Sequence, residues 1–156
     1  MADALTPAFA TAALVLCVAG IAKLRSHSSM LWILVGSGEI ALGAWCLLVP
    51  GRIASGALAC AFAAFSAVAS VLARRGASCG CFGEAGRDEP ASPAQSFLSA
   101  ALASVALAAT LAPAHGVDWV LARPAASAAV IIAGICGSAY AAVLAYTQLP
   151  RLWSSW

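Results

Sequence analysis

The stretch IASGALACAFAAFSAVASVLARRG, residues 53–76, decides the fold class of this chain. It holds no charged residue from Ile53 to Ala73, and two arginines and a glycine follow at once. About 17 to 25 mostly apolar residues in a helix cross the hydrocarbon core of a bilayer, where lipid offers no partner to backbone N–H and C=O groups. Cations and a glycine suit a helix C-terminus. We therefore predict a membrane-spanning helix over residues 53–73.

Similar apolar stretches lie on both sides of this one. They predict spans over residues 5–22, 31–49 and 126–146. A further and shorter stretch opens at Ser92-Pro93-Ala94-Gln95 and runs to about Leu111. Its opening offers an N-cap serine, a proline at the first helical position and a glutamine three residues after the cap. The sequence thus predicts an all-α, polytopic membrane bundle of five transmembrane helices. Four is the alternative count if the shorter stretch does not span.

The composition supports the same class. Hydrophobic residues make up 63% of the chain and charged residues 9%, whereas a soluble domain is about a quarter charged. The net charge of +2 is small, and the basic residues are scattered near the ends of apolar stretches. We therefore expect the lipid bilayer as surroundings and no nucleic-acid partner. No linker or charge block divides the chain, so residues 1–156 are predicted to form a single domain.

The basic residues also predict an orientation. With five spans, the connections 22–31 and 74–95 lie on the same side as the C-terminus. That side carries six basic residues, and the opposite side carries Arg52 and Arg123. Because cytoplasmic loops are enriched in Lys and Arg, the first side is predicted to be cytoplasmic and the N-terminus to lie outside the cell membrane. The six are Lys23, Arg25, Arg74, Arg75, Arg87 and Arg151.

The longest polar connection carries the Cys79-Gly80-Cys81 pair. A polar loop between membrane helices is where a water-borne partner can reach a thiol. Two cysteines one residue apart close only a very small ring, so their disulfide is expected to be strained and readily reduced. The alternatives are adventitious loop thiols or half of a metal site. No second Cys or His pair is visible, and His27 and His115 are predicted on opposite sides.

Glu39 is the most unusual residue inside a predicted span, because an unpaired carboxylate at that depth costs a few kcal/mol. Lys23, at the end of the first span, can extend its side chain towards it. We expect either a structural role, as a buried ion pair or a neutral hydrogen-bonded acid, or a role in proton handling. The other cysteines lie in apolar runs, where a thiol is usually an inert small hydrophobe. They are Cys17, Cys46, Cys60 and Cys136.

Three stretches together resemble the methylamine utilization MauE family, a branch of the DoxX-like redox-associated membrane proteins. They are Ala19-Gly20-Ile21-Ala22-Lys23-Leu24 at the end of the first span, Glu39 inside the second, and Cys79-Gly80-Cys81-Phe82-Gly83 after the third. The last two predicted spans match only in being apolar.

The resemblance implies a multi-pass membrane protein that supports disulfide formation or maturation of a disulfide-containing client protein, alongside a thioredoxin-like protein. Such maturation takes place outside the cytoplasm, whereas the count of basic residues puts the loop inside. Either the loop exchanges with a cytoplasmic reductant and intramembrane cysteines pass electrons outward, or the orientation is inverted. The outward path would need Cys46, Cys60 or both, which lie towards the opposite face from Cys79. The implied redox pair is Cys79 and Cys81, supported by Gly80, Phe82, Gly83, Lys23 and Glu39.

Two other function classes stay open. One is a non-catalytic scaffold or assembly subunit that binds a partner through the same loop. The other is a quinone- or small-solute-binding membrane protein centred on Glu39. No haem-attachment motif, phosphate loop, nucleophile elbow or HExxH sequence appears, so no cofactor and no hydrolase or transferase site is predicted.

Overall fold

The computed structural model describes residues 2–26, 29–77 and 91–153, and in these ranges every regular element is an α-helix. Five helices are long and apolar enough to cross a membrane, which confirms the predicted all-α bundle and the higher of the two counts. A short helix between the last two spans was not predicted. The helices are α1 (Ala2–Ser26), α2 (Met30–Leu48), α3 (Arg52–Arg75), α4 (Pro93–Leu111), α5 (Val117–Leu121) and α6 (Ala125–Trp153).

Local signals in the sequence explain where α3 ends and where α4 begins. Gly76 adopts the left-handed conformation with φ of 62°. Its N–H donates to the Ala73 carbonyl at 3.3 Å, and the Ala77 N–H donates to the Leu72 carbonyl at 3.0 Å. This pair of bonds is the Schellman motif that glycine favours. At the start of α4 the Ser92 N–H donates to Gln95 Oε1 at 3.1 Å, as the predicted capping sequence requires.

Helix α1 lies at the centre of the bundle and contacts α2, α4 and α6. The chain also folds into two antiparallel helix pairs, α1 with α2 and α3 with α4. Aromatic and aliphatic side chains of α1 and α3 fill the core together with alanines of α4. The largest fully buried side chains of the described residues include Phe9, Leu16, Leu58 and Phe62.

Helices α1 and α2 approach each other through glycines. A Cβ atom built at Gly20 would lie 2.5 Å from the Gly36 carbonyl oxygen, and one built at Gly43 would lie 2.7 Å from the Ala13 carbonyl oxygen. Backbone oxygens so close leave no room for a side chain. Small residues give this close approach in lipid, where no hydrophobic force drives helices together. The two contacts fix one antiparallel register over about two helical turns.

Serine hydroxyls connect α3 to α4. The Ser66 hydroxyl donates to the Ser96 carbonyl at 3.0 Å, and the Ser96 hydroxyl donates to the Ser66 carbonyl at 2.9 Å. Ser70 also contacts the Ser96 hydroxyl. Hydrogen bonds of this kind hold transmembrane helices together in lipid, so the ends of both helices that flank the cysteine segment are held in place.

Candidate functional site

The cysteine loop predicted from the sequence lies outside the described residues, and so does His27. Its two ends are described. The Ala91 N–H donates to the Ala77 carbonyl oxygen at 2.9 Å, which joins the chain just before the segment to the chain just after it. Ala77 and Ala91 therefore lie next to each other at one end of the bundle. The five predicted site residues within the segment are Cys79, Gly80, Cys81, Phe82 and Gly83.

The structure brings the other two predicted site residues together. The Lys23 ammonium donates to Glu39 Oε1, so the two side chains form an ion pair. Lys23 is 3% exposed and Glu39 is 7% exposed. The contact follows from the register of α1 and α2, because Gly36 and Glu39 are buried on the same face of α2. A Lys side chain on α1 points back along its helix, towards the middle of the bundle and towards Glu39.

Apolar groups surround this ion pair on the side of α3. The Lys23 ammonium lies 5.2 Å from the centre of the Phe65 ring, a distance at which a cation is attracted to an aromatic face. Phe65 in turn packs edge-on against Phe62. Desolvated charges are stable only when they are paired and hydrogen-bonded. Loss of the contact between Lys23 and Glu39 should therefore cost more stability than loss of a surface ion pair.

A second polar group lies near Lys23, and sequence reasoning did not identify it. The hydroxyls of Ser99 in α4 and Tyr146 in α6 are hydrogen-bonded at 2.8 Å, and Gln95 Nε2 donates to the Tyr146 carbonyl oxygen at 2.9 Å. Ser99, Tyr146 and Gln95 are all buried. The only local signal is the i, i+4 spacing of Gln95 and Ser99, which places both on one face of α4. Their partner on α6 is far along the chain.

A small cavity separates this hydroxyl pair from Lys23. The centre of a water molecule can occupy about 20 Å³ of this cavity. Three of its lining side chains are polar, and they come from α1, α4 and α6. The lining residues are Val15, Leu16, Ala19, Lys23, Phe62, Phe65, Ser99 and Tyr146.

A charged cluster closes the opposite end of the bundle. His115 Nε2 lies 3.2 Å from Asp3 Oδ1, and the His115 ring stacks on Trp119 with centroids 5.5 Å apart. The Arg123 guanidinium lies 4.4 Å from the centre of the Trp119 ring. The cluster connects the start of α1 to α5 and to the residues after it. This explains the position of α5, whose existence the sequence pattern did not reveal.

The four cysteines in apolar sequence are free thiols. Cys46 is buried, with its Sγ 3.4 Å from the Ala54 carbonyl oxygen, and the Cys17 Sγ lies 3.9 Å from the Ile40 carbonyl oxygen. Cys60 and Cys136 are exposed on the helix surface. An electron path through Cys46 or Cys60 stays a prediction. No group of three or more metal-binding side chains occurs within the described ranges.

Comparison of the chain with protein-family models, with curated proteins and with solved structures gave no match. The resemblance to the MauE family therefore rests on the three quoted stretches alone.

Proposed function

We propose that this protein is an integral membrane thiol–disulfide exchange protein in which Cys79 and Cys81 form the redox pair. The observation that carries the proposal is the hydrogen bond from the Ala91 N–H to the Ala77 carbonyl at 2.9 Å. It holds Ala77 and Ala91, the described residues on either side of the cysteine segment, next to each other at one end of the helix bundle. A short loop on a rigid support is a suitable place for a group that must meet a water-borne partner.

In the proposed exchange, the loop disulfide oxidises two thiols of a client in two successive attacks. When the pair is a disulfide, a client thiolate attacks one of its sulfur atoms, a mixed disulfide forms, and the other cysteine leaves as thiolate. The second client thiolate then attacks the mixed disulfide. The client gains a disulfide, and the two loop cysteines become thiols. A thioredoxin-like protein with its own disulfide accepts the two electrons in a second exchange of the same kind and regenerates the pair.

The remaining predicted residues have supporting roles in this proposal. Gly80 gives the backbone freedom that a very small disulfide ring demands, and Gly83 shapes the loop after it. Phe82 offers a side chain on which a partner docks. The ion pair of Lys23 and Glu39 holds α1 against α2. The connection between these two helices is predicted on the same side of the membrane as the loop.

Two orientations of the loop remain for this proposal: six basic residues on its side and two on the other predict that it faces the cytoplasm, whereas direct oxidation of a client outside the cytoplasm requires the inverse. A variant that keeps only Cys79 and Cys81 is expected to resist a membrane-impermeant thiol reagent in intact cells and to react after the cells are opened. The matched control is a variant in which a cysteine replaces Ala122, which lies exposed just before α6 on the opposite side. It should react in intact cells. Rapid labelling of the loop from outside would invert the orientation.

Trapping a mixed disulfide tests the proposed chemistry. Cys79→Ser and Cys81→Ser each remove one half of the pair. The variant that keeps the attacking cysteine is expected to form a mixed disulfide by attack on the disulfide of the thioredoxin-like partner, and the complex should accumulate because no resolving cysteine remains in the loop. The double variant should show no complex on non-reducing gels and should fail to support maturation of the natural client. A matched variant, Cys136→Ser, removes an exposed thiol outside the loop and should behave like the parent. If the double variant supports maturation as well as the parent does, the protein is a scaffold that binds through the same loop.

The size of the cavity beside Lys23 favours these two functions over quinone binding at Glu39. Pockets for small organic ligands measure about 300–1,000 Å³, and the cavity beside the ion pair is far smaller. A larger apolar pocket of about 320 Å³ lies towards the other end of the bundle, with Cys46 and His115 in its wall and without Glu39.

A further inference from the structure

The cavity beside Lys23 has room for water and for little else. It leaves about 20 Å³ for the centre of a water molecule, and a single water needs about 10–15 Å³ on that measure. Most of its wall is apolar, with Phe62 and Phe65 on one side. Apolar cavities of this kind stay dry unless two or more polar groups reach into them. Whether this cavity holds water therefore depends on the number of hydrogen-bonding groups in its wall.

Three polar groups line the cavity, and at least two have capacity left. An ammonium has three donors, and Lys23 directs one to Glu39. A hydroxyl has one donor and two acceptor sites, so the bond between Ser99 and Tyr146 does not saturate Ser99. A water in the cavity can accept from Lys23 and donate to Ser99. These are two partners from two different helices, the minimum that a buried water requires.

We propose that one water molecule occupies this cavity and connects the Lys23–Glu39 ion pair to the Ser99–Tyr146 hydroxyl pair. The water solvates a cation that is otherwise enclosed by Glu39 and the Phe65 ring, and it joins α1 to α4 and α6 through hydrogen bonds. It also makes the buried pair a site of proton exchange. An N–H bond of Lys23 breaks as the water takes the proton, and an N–H bond forms when a proton returns from water. The water site does not depend on Cys79 or Cys81.

The sequence offers a direct way to observe this site, because Lys23 is the only lysine in the chain. Protein grown with ¹⁵N-lysine and placed in lipid bilayers gives a single side-chain amine signal in solid-state NMR. Magnetisation is expected to pass from water to the Lys23 Nζ atom. The ammonium protons are also expected to exchange for deuterium when the bilayers are moved into D₂O, although the side chain is almost fully buried.

Two variants remove the water in different ways. Ser99→Val replaces the hydroxyl that accepts from the water, and Ala19→Val fills the cavity with two methyl groups. In each, transfer from water to Lys23 Nζ should fall to background. Ser104→Val is the matched control, because Ser104 lies exposed on the same helix and its hydroxyl donates to the Ala100 carbonyl. It should leave the transfer unchanged.

The proposal fails if the parent shows a Lys23 signal but no transfer from water. It also fails if transfer persists in both cavity variants, because water would then reach Lys23 by another route. Should one variant not fold, the other decides. A Lys23 signal that stays protonated in D₂O would overturn the exchange role.

Discussion

Replacing Glu39 with alanine is expected to lower the free energy of unfolding by about 3–5 kcal/mol, the usual cost of breaking a buried ion pair by removing one partner. The variant leaves the ammonium of Lys23, a residue that is 3% exposed in the parent, without a carboxylate. The Phe65 ring offers that cation about 0.5–2 kcal/mol of attraction, which is too little to replace Glu39. The measurement is the free energy of unfolding in mixed micelles, followed as denaturing detergent is added.

Removing both charges should recover most of this loss. The double variant Lys23→Met, Glu39→Gln leaves no buried charge, and apolar or neutral replacements of a buried pair are often tolerated. The coupling between the two sites should therefore be large and of opposite sign to the single effects. Asp3→Ala is the control, since Asp3 is a carboxylate on α1 whose side chain is 68% exposed beside His115. Its effect should stay within about 1 kcal/mol. Equal stability of Glu39→Ala and the parent would contradict the ion pair.

Glu39→Gln separates the structural role of this residue from a chemical one. The amide keeps the shape of the acid and can still accept from Lys23, so insertion of the protein into the membrane should be preserved. Impaired maturation of the client in this variant would indicate that the acid handles protons. Parental function would indicate a purely structural pair.

The elements that the sequence predicted are those that depend on local signals. The five spans follow from runs of apolar residues long enough to cross lipid. The end of α3 follows from Gly76, and the start of α4 follows from Ser92 and Gln95, because a cap involves neighbours in the chain. Helix α5 was missed for the opposite reason. It is short, and Asp3 at the far end of the chain contacts the residues around it.

Among the polar groups around Lys23, one contact could be predicted from the sequence and the others could not. That Lys23 can reach Glu39 was predictable, because both lie in adjacent helices on one side of the membrane. That Ser99 and Tyr146 lie across a cavity from Lys23 was not, because it depends on how α4 and α6 pack against α1. The sequence around a serine or a tyrosine in an apolar helix does not indicate which residue will be its hydrogen-bond partner. Their positions follow from the packing of the whole bundle.

The register of α1 on α2 decides whether the ion pair exists, and two glycines of α2 set that register. Gly36 and Gly43 lie two turns apart on the buried face that also carries Glu39. A Cβ atom at Gly36 would come within 2.8 Å of the Gly20 carbonyl oxygen. This oxygen belongs to the helix backbone, so it cannot rotate away as the end of a flexible side chain can. A larger residue at Gly36 must therefore push the two helices apart.

Gly36→Val is expected to lower the free energy of unfolding by about 1–3 kcal/mol or more, the range for overpacking a tight interface. Gly38→Val is the matched control, two residues away on the same helix, where an added Cβ meets nothing within 4 Å. It should have little effect. Because separated helices no longer bring Lys23 to Glu39, Gly36→Val and Glu39→Ala should together cost less than the sum of their separate effects. Strict additivity would show that the glycines and the ion pair act independently, and equal stability of the two valine variants would show that α1 and α2 do not meet at Gly36.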